Sequence, residues 1–311
     1  MRTLILFAAL AAAASPLLAQ GAGGPFRVRE TGTSFGTLQD AVTAIGSGRG
    51  TILIAPGRHR QCAVQDAGDV TFKAEQPGTA ILDSTACEGK AALVLRGRSS
   101  TVEGLIFQGI TDPDANGAGI RMEKGALVVR ESLFRDSESG ILSAADPTGT
   151  ILVERSTFSG LGRCDRDLAC AHSIYIGEFG SLVVRRSRFE RGTGGHYVKS
   201  RAPRVEVTDS SFDDVAGRTT NYMIDLPAGA EGLIARNVFV QGRGKENYSA
   251  MITVAGEGRV QSSAGLVIRD NDASLAPGMD KPTSFVADWS GEVTRIDANR
   301  LGPCIGRYEK R

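Results

Sequence analysis

The stretch Leu127-Val-Val-Arg-Glu-Ser-Leu-Phe134 decides the fold, because the chain keeps rewriting it. It returns as Ile151-Leu-Val-Glu-Arg-Ser-Thr-Phe158, Leu182-Val-Val-Arg-Arg-Ser-Arg-Phe189, Val205-Glu-Val-Thr-Asp-Ser-Ser-Phe212 and Gly232-Leu-Ile-Ala-Arg-Asn-Val-Phe239. A shorter earlier copy is Val102-Glu-Gly-Leu-Ile-Phe107, and the phenylalanines stand 27, 24, 31, 23 and 27 residues apart. Apolar and polar residues alternate within each copy, the period of a half-buried strand. A strand repeated at this spacing predicts a solenoid, in which each coil buries its face against the next. The phenylalanines are expected to stack inside the cylinder. The residues two before them, Leu105, Ser132, Ser156, Ser187, Ser210 and Asn237, are expected to form a side-chain ladder at a turn. Both are scaffold, and neither is assigned chemistry.

Composition agrees. The chain has 311 residues, 39 glycines, 6% aromatics and a formal net charge of +1. Many turns and few large rings suit a narrow β solenoid forming one continuous domain. The net charge argues neither for nor against a charged partner. Nothing resembles a phosphate loop, a zinc pattern or a nucleophile elbow. A monomer that binds no nucleic acid and spans no membrane is expected. At the N-terminus, Arg2, the apolar run from Leu4 to Ala14 and the small residue Ala19 read as a secretory signal peptide over residues 1–19. The chain is therefore expected to be exported, to the periplasm or beyond. Export makes disulfides the natural state of cysteine. Cys62 and Cys87 lie about one repeat apart and can stack on adjacent coils, Cys164 and Cys170 can staple a local loop, and Cys304 is left over. Metal binding by Cys164 and Cys170 is the competing reading, and their spacing fits no zinc pattern.

Residues 20–311 form the predicted solenoid domain. Thr37-Leu-Gln-Asp-Ala-Val-Thr-Ala-Ile45 predicts a short amphipathic helix with Thr37 as N-cap, closing the open edge of the first coil. Regular coils are expected over 50–273 and a C-terminal cap over 274–311, where the repeat decays. The long interval between Phe158 and Phe189 contains the Cys164–Cys170 loop, and such insertions tend to lie on the binding face.

The opening Thr37-Leu-Gln-Asp-Ala-Val, then Ile54-Ala-Pro-Gly57 and the ladder, resembles right-handed parallel β-helix proteins of the pectate-lyase-like superfamily over essentially the whole mature chain. The resemblance implies an all-β right-handed parallel β-helix with an N-terminal capping helix. It also implies, with less specificity, an enzyme acting on acidic polysaccharides, most often a lyase.

Three repeats carry extra words: Ala171-His-Ser-Ile-Tyr-Ile-Gly177, Gly195-His-Tyr-Val-Lys-Ser-Arg-Ala202 and Thr220-Asn-Tyr-Met-Ile-Asp-Leu226. Aligned by repeat, His172, His196 and Asn221 form one stack, Tyr175, Lys199 and Ile224 a second, and Ile176, Ser200 and Asp225 a third. Equivalent positions on neighbouring coils lie about 4.8 Å apart, so distant residues become neighbours. The grouping suits β-elimination from a uronate polymer, which needs a base for the C5 proton, positive charge for the carboxylate and an acid for the leaving oxygen. Lys199 is the candidate base, provided burial or a neighbouring cation lowers its pKa. Arg201 or Arg218 would neutralise the carboxylate, and Tyr175, Tyr197 or a histidine (His172, His196) would supply the acid. Asn221, Asp225, Tyr197, Tyr222 and Arg218 are candidate substrate contacts, and Tyr248 is weighed beside Tyr222. The Val198-Lys-Ser-Arg201 stretch is similar to the lysine–serine element of alginate-lyase and chondroitinase-type β-helix lyases, which implies the base role for Lys199. The arginine element those lyases carry on the following coil is absent, since the chain reads Arg218-Thr-Thr-Asn-Tyr222. Calcium is the cofactor in view, and no spacing among Asp209, Asp213, Asp214 and Asp225 singles out a ligand set. Asp213-Asp214 reads as a solvated turn.

Bland alternatives stay open. His172 and His196 also read as a structural imidazole–amide ladder, and Lys199 as an ordinary outward lysine on an alternating strand. Arg185, Arg186, Arg188 and Arg191 read as a solvated face. A glycoside hydrolase and a non-catalytic glycan-binding solenoid are the competing functions.

Overall fold

The computed structural model describes residues 23–165 and 168–311. The signal-peptide reading therefore lies outside the described residues. The chain winds into a parallel β-solenoid with three sheets running its length, one of twelve strands and two of ten. Coil after coil visits the sheets in the same order. One such coil runs from Phe179–Arg185 on the first sheet through Arg188–Glu190 on the second to Val198–Ser200 on the third.

The repeated sentence supplies the first two sheets and the corner between them. Its phenylalanines are buried and pair in register, Phe107 with Phe134, then Phe158, Phe189, Phe212 and Phe239. Their rings stack face to face with centroids 4.7–4.9 Å apart. At the corner, the Ser132 N–H donates to Ser156 Oγ at 3.2 Å, Ser156 N–H to Ser187 Oγ, Ser187 N–H to Ser210 Oγ and Ser210 N–H to Asn237 Oδ1. The ladder then continues through Asn271 and Asn299. It satisfies buried backbone donors that the sheet ladders do not reach. The residue before each rung sits in the left-handed region: Glu131, Arg155, Arg186, Asp209 and Arg236 have φ between 47° and 56°. Each is a non-glycine residue in a conformation that carries a steric cost, and the rung bonding on both sides holds it there.

The N-terminal cap is as expected. The helix spans Leu38–Ile45, with the Thr37 side chain accepting from the Asp40 N–H at 3.1 Å and Leu38, Ala41 and Val42 buried against the first coil. Phe26–Val28 adds an antiparallel strand against Arg49–Ile54 at that end. The C-terminal segment differs from expectation. Residues 274–311 continue the coil, with Thr283–Asp288, Arg295–Asp297, Arg300–Leu301 and Ile305–Lys310 extending the three sheets in parallel register. The repeat fades there because Ala273 and then Leu301 take the ladder position after Phe239.

Cys62–Cys87 and Cys164–Cys170 are both disulfides, which removes the metal reading of the second pair, and Cys304 is free and exposed. No helix among the described residues is long and apolar enough to cross a membrane.

Candidate functional site

The site is built on the outward row of the third sheet. Its register places Arg121 beside Leu142, Leu142 beside Tyr175, Tyr175 beside Lys199, Lys199 beside Asp225 and Asp225 beside Thr253. Tyr175 and Lys199 adjoin as the sequence predicts, but the third coil corrects the alignment. Asp225, not Ile224, follows Lys199, because Gly195 pairs with Thr220 while Val198 pairs with Ile224. The third coil carries one more residue between those pairings, and a one-residue slip turns a side chain to the other face. Ile224 is therefore inward, and Asp225 joins the cluster instead of stacking on Ser200.

Lys199 is 8% exposed, so it is not a free surface lysine. Its Nζ lies 2.6 Å from Glu257 Oε1, 3.4 Å from Asp225 Oδ2 and 5.6 Å from the Tyr175 ring centre. The Arg201 guanidinium donates from Nε to the Tyr175 hydroxyl oxygen at 3.0 Å and from its terminal nitrogen to the other oxygen of Glu257. One carboxylate is thus clamped between a lysine and an arginine, beside a phenol. Thr253 Oγ donates to Asp225 Oδ1 at 2.8 Å. Burial pushes the Lys199 pKa down, but the Asp225 and Glu257 carboxylates outweigh it and leave it raised. The lowered pKa required of a lysine base is absent in this arrangement. Burial also raises Asp225, with Lys199 opposing, whereas hydrogen bonds from Lys199 and Arg201 overcome burial and hold Glu257 low.

The histidines lie against this cluster. His172 and His196 rings stack with centroids 4.9 Å apart, and the next ring in the column is Tyr222 at 5.5 Å, where Asn221 was expected. The Asn221 side chain turns away to donate to Glu246 Oε2. His172 Nδ1 accepts the backbone N–H of His196 at 2.9 Å. Its ring is then neutral with the proton on Nε2, a donor and not a base. Burial first, then the charges of His196 and Lys199, hold His172 well below its ordinary value. Burial and the Lys199 charge hold His196 down to about 3, and its Nε2 is 3.5 Å from Asp225 Oδ2.

Tyr197 and Asp214 are engaged with each other inside the coil. Tyr197 is buried and its hydroxyl donates to Asp214 Oδ1 at 2.7 Å. Asp214 is no solvated turn: it is 0% exposed and also accepts from Thr220 Oγ, the Gly242 N–H and Lys245 Nζ. Burial lowers the Lys245 pKa against that carboxylate. Arg218 is exposed and lies apart, in a separate cleft with Asp136 and Arg191. Tyr222 accepts from Asn247 Nδ2, and Tyr248 sits under Lys281, whose Nζ is 3.7 Å from the ring centre. Arg185, Arg186, Arg130 and Arg155 converge on the buried carboxylate of Glu154, so that face is partly an ion-pair network.

A cleft of about 460 Å³ opens beside the cluster, lined by Tyr175, His172, Arg201, Arg121, Asp114 and Glu178 among others, with the Cys164–Cys170 loop contributing Cys170. Glu257, Thr253 and Arg121 were not singled out from the sequence. Thr253 and Arg121 are legible once the register is known. Glu257 lies in the bend after the strand Ala250–Val254 and has no repeat counterpart to mark it.

No protein-family model matches the chain, and no curated protein matches it. Among solved structures the chain is similar to ORF18 of Geobacillus virus E2, with 12% identity, 88% of this chain and 56% of that one covered, and a TM-score of 0.48. It is also similar to a mutant of AlyGC, a PL6 family alginate lyase, with 14% identity, 84% and 36% covered, and a TM-score of 0.38. The chain spans less than two thirds of either neighbour, and both likenesses concern the fold alone.

Proposed function

We propose that the protein acts on an acidic, uronate-containing polysaccharide by β-elimination at the Tyr175–Lys199–Arg201 cluster. The observation that carries this reading is the clamp: Lys199 and Arg201 grip the Glu257 carboxylate beside the Tyr175 hydroxyl. A uronate carboxylate that displaces Glu257 meets the same two cations, which also steady the enolate that forms when the C5 proton leaves. With its raised pKa Lys199 serves as a cation, and the proton passes to Tyr175. The Tyr175 oxygen, held by Arg201 Nε at 3.0 Å, takes the C5 proton as its own hydroxyl proton passes to the leaving oxygen, while the C4–O bond breaks and a C4–C5 double bond forms. Neutral His172 adds a hydrogen-bond donor at the cleft wall. The two disulfides support an exported setting.

One observation favours hydrolysis as a second reading. Asp225 is raised and Glu257 lowered, with both carboxylates on Lys199, and carboxylates pushed apart in this way divide acid and base roles. Incubation with a panel of uronate polymers tests both. The elimination reading expects ultraviolet absorbance from unsaturated products, lost in Tyr175→Phe without a change in melting temperature. New reducing ends without that absorbance favour hydrolysis, and binding without cleavage favours a glycan-binding solenoid.

A further inference from the structure

The cleft holds a second cation, Arg121, whose ion pair is long and shared. Arg121, on the strand Ala118–Met122, lines the cleft with Tyr175, His172 and Arg201. Its Nε is buried and makes no hydrogen bond. The carboxylate beside it, Glu123, is 3.7 Å away and already accepts from Lys90 at 2.9 Å and Arg96 at 2.6 Å. Burial pushes the Arg121 pKa down, with Glu123 opposing. A partly buried guanidinium with an unbonded Nε, whose nearest carboxylate is already shared with two other cations, is a ready partner for a further carboxylate, which it can grip with two parallel hydrogen bonds.

We propose that Arg121 is a second carboxylate-binding position, so that the cleft selects glycans bearing acidic sugars on more than one unit. This rests on the uronate reading of the Lys199–Arg201 clamp. From the Arg121 strand to the Lys199 strand the row takes three inter-strand steps, through Leu142 and Tyr175, or about 14 Å along the axis at the usual strand spacing. At that separation of the strands, an oligosaccharide laid along the solenoid reaches both positions. Asp114 and Glu178 also line the cleft.

Calorimetric titration of the full chain with uronate oligomers of increasing length tests the proposal, with neutral oligomers of equal length alongside. The wild type should gain affinity once the oligomer is long enough to span both positions. Arg121→Gln should lose that gain, about tenfold, a magnitude typical of one charge-assisted contact, and bind short oligomers as the wild type does. Arg121→Lys, which keeps the charge without the fork, should recover part of it. Long and short oligomers binding Arg121→Gln as they bind the wild type would overturn the proposal while leaving the clamp intact. If no uronate oligomer binds the wild type, the clamp reading falls, and this proposal falls with it.

Discussion

The buried Asp214–Lys245 pair gives the sharpest stability prediction, because its two halves are unequally supported. Both side chains are fully enclosed, with Nζ and Oδ2 3.3 Å apart. Asp214→Leu leaves the Lys245 charge with only neutral acceptors, the Asn221 carbonyl and the Thr220 hydroxyl, and takes the acceptor from the Tyr197 hydroxyl, the Thr220 hydroxyl and the Gly242 N–H together. Removing one partner of a buried pair costs about 3–5 kcal/mol. Lys245→Met leaves the carboxylate with three neutral donors and fills the space of the aliphatic stem, so its cost should be about 1–2 kcal/mol. Urea unfolding followed by circular dichroism measures both variants at pH 7. The expected gap is about 2 kcal/mol, with matching denaturant slopes confirming that the same surface unfolds. Equal losses, or a larger loss for Lys245→Met, would refute the reasoning that the carboxylate is the hub.

Buried His196 should make stability pH-dependent. Its pKa falls from 6.5 to about 3 on folding, so the unfolded chain binds a proton that the folded chain refuses. The penalty is absent above pH 6.5 and grows as pH falls toward 3, reaching about 2 kcal/mol at pH 5. His172 acts in the same direction and raised Asp225 in the opposite one, so the test is the loss between pH 7 and pH 5 in His196→Asn against the wild type. An equal loss in both would exclude His196 as a source. Glu257→Gln should weaken the hold on Lys199 and Arg201, lower the Lys199 pKa seen by NMR titration, and raise affinity for uronate oligomers; weaker binding would show that Glu257 assists the ligand instead of standing in its place. Phe158→Ala opens the middle of the ring stack and should cost about 3–5 kcal/mol in urea unfolding, while a cost below about 1 kcal/mol would mean that the stack is not a cohesive core.

The solenoid was legible because its stabilising elements are written once per coil. Phe134 and Phe158 mark the core, Ser132 and Ser156 the corner, and Thr37 the start of the cap, each at a fixed phase. Legibility failed where the phase changed. A single additional residue after Thr220 moved Asp225 onto the outward row, and Ala273 and Leu301 hid the last coils by replacing the ring. Asp214 was misread because adjacent aspartates at a turn are usually solvated, and only the three-dimensional path brings Tyr197, Thr220 and Lys245 around it. The pairing of Tyr175 with Lys199 and the stacking of His172 on His196 came directly from the repeat alignment. Glu257 did not, since bends between coils have no counterpart from which to infer a position. Part of the electrostatics of the site therefore lay beyond the sequence: Glu257, which with Asp225 raises Lys199, is 58 residues away along the chain.

Mass spectrometry of the fragments released from a defined uronate oligomer, incubated with the protein in isotopically labelled water, tests the central claim most directly. Elimination predicts a new non-reducing-end fragment one water lighter than its hydrolytic counterpart and no solvent oxygen at the cleaved bond, with the lighter fragment lost in Tyr175→Phe. Fragments of hydrolytic mass carrying the solvent label would contradict the elimination account and move the chemistry to Asp225 and Glu257.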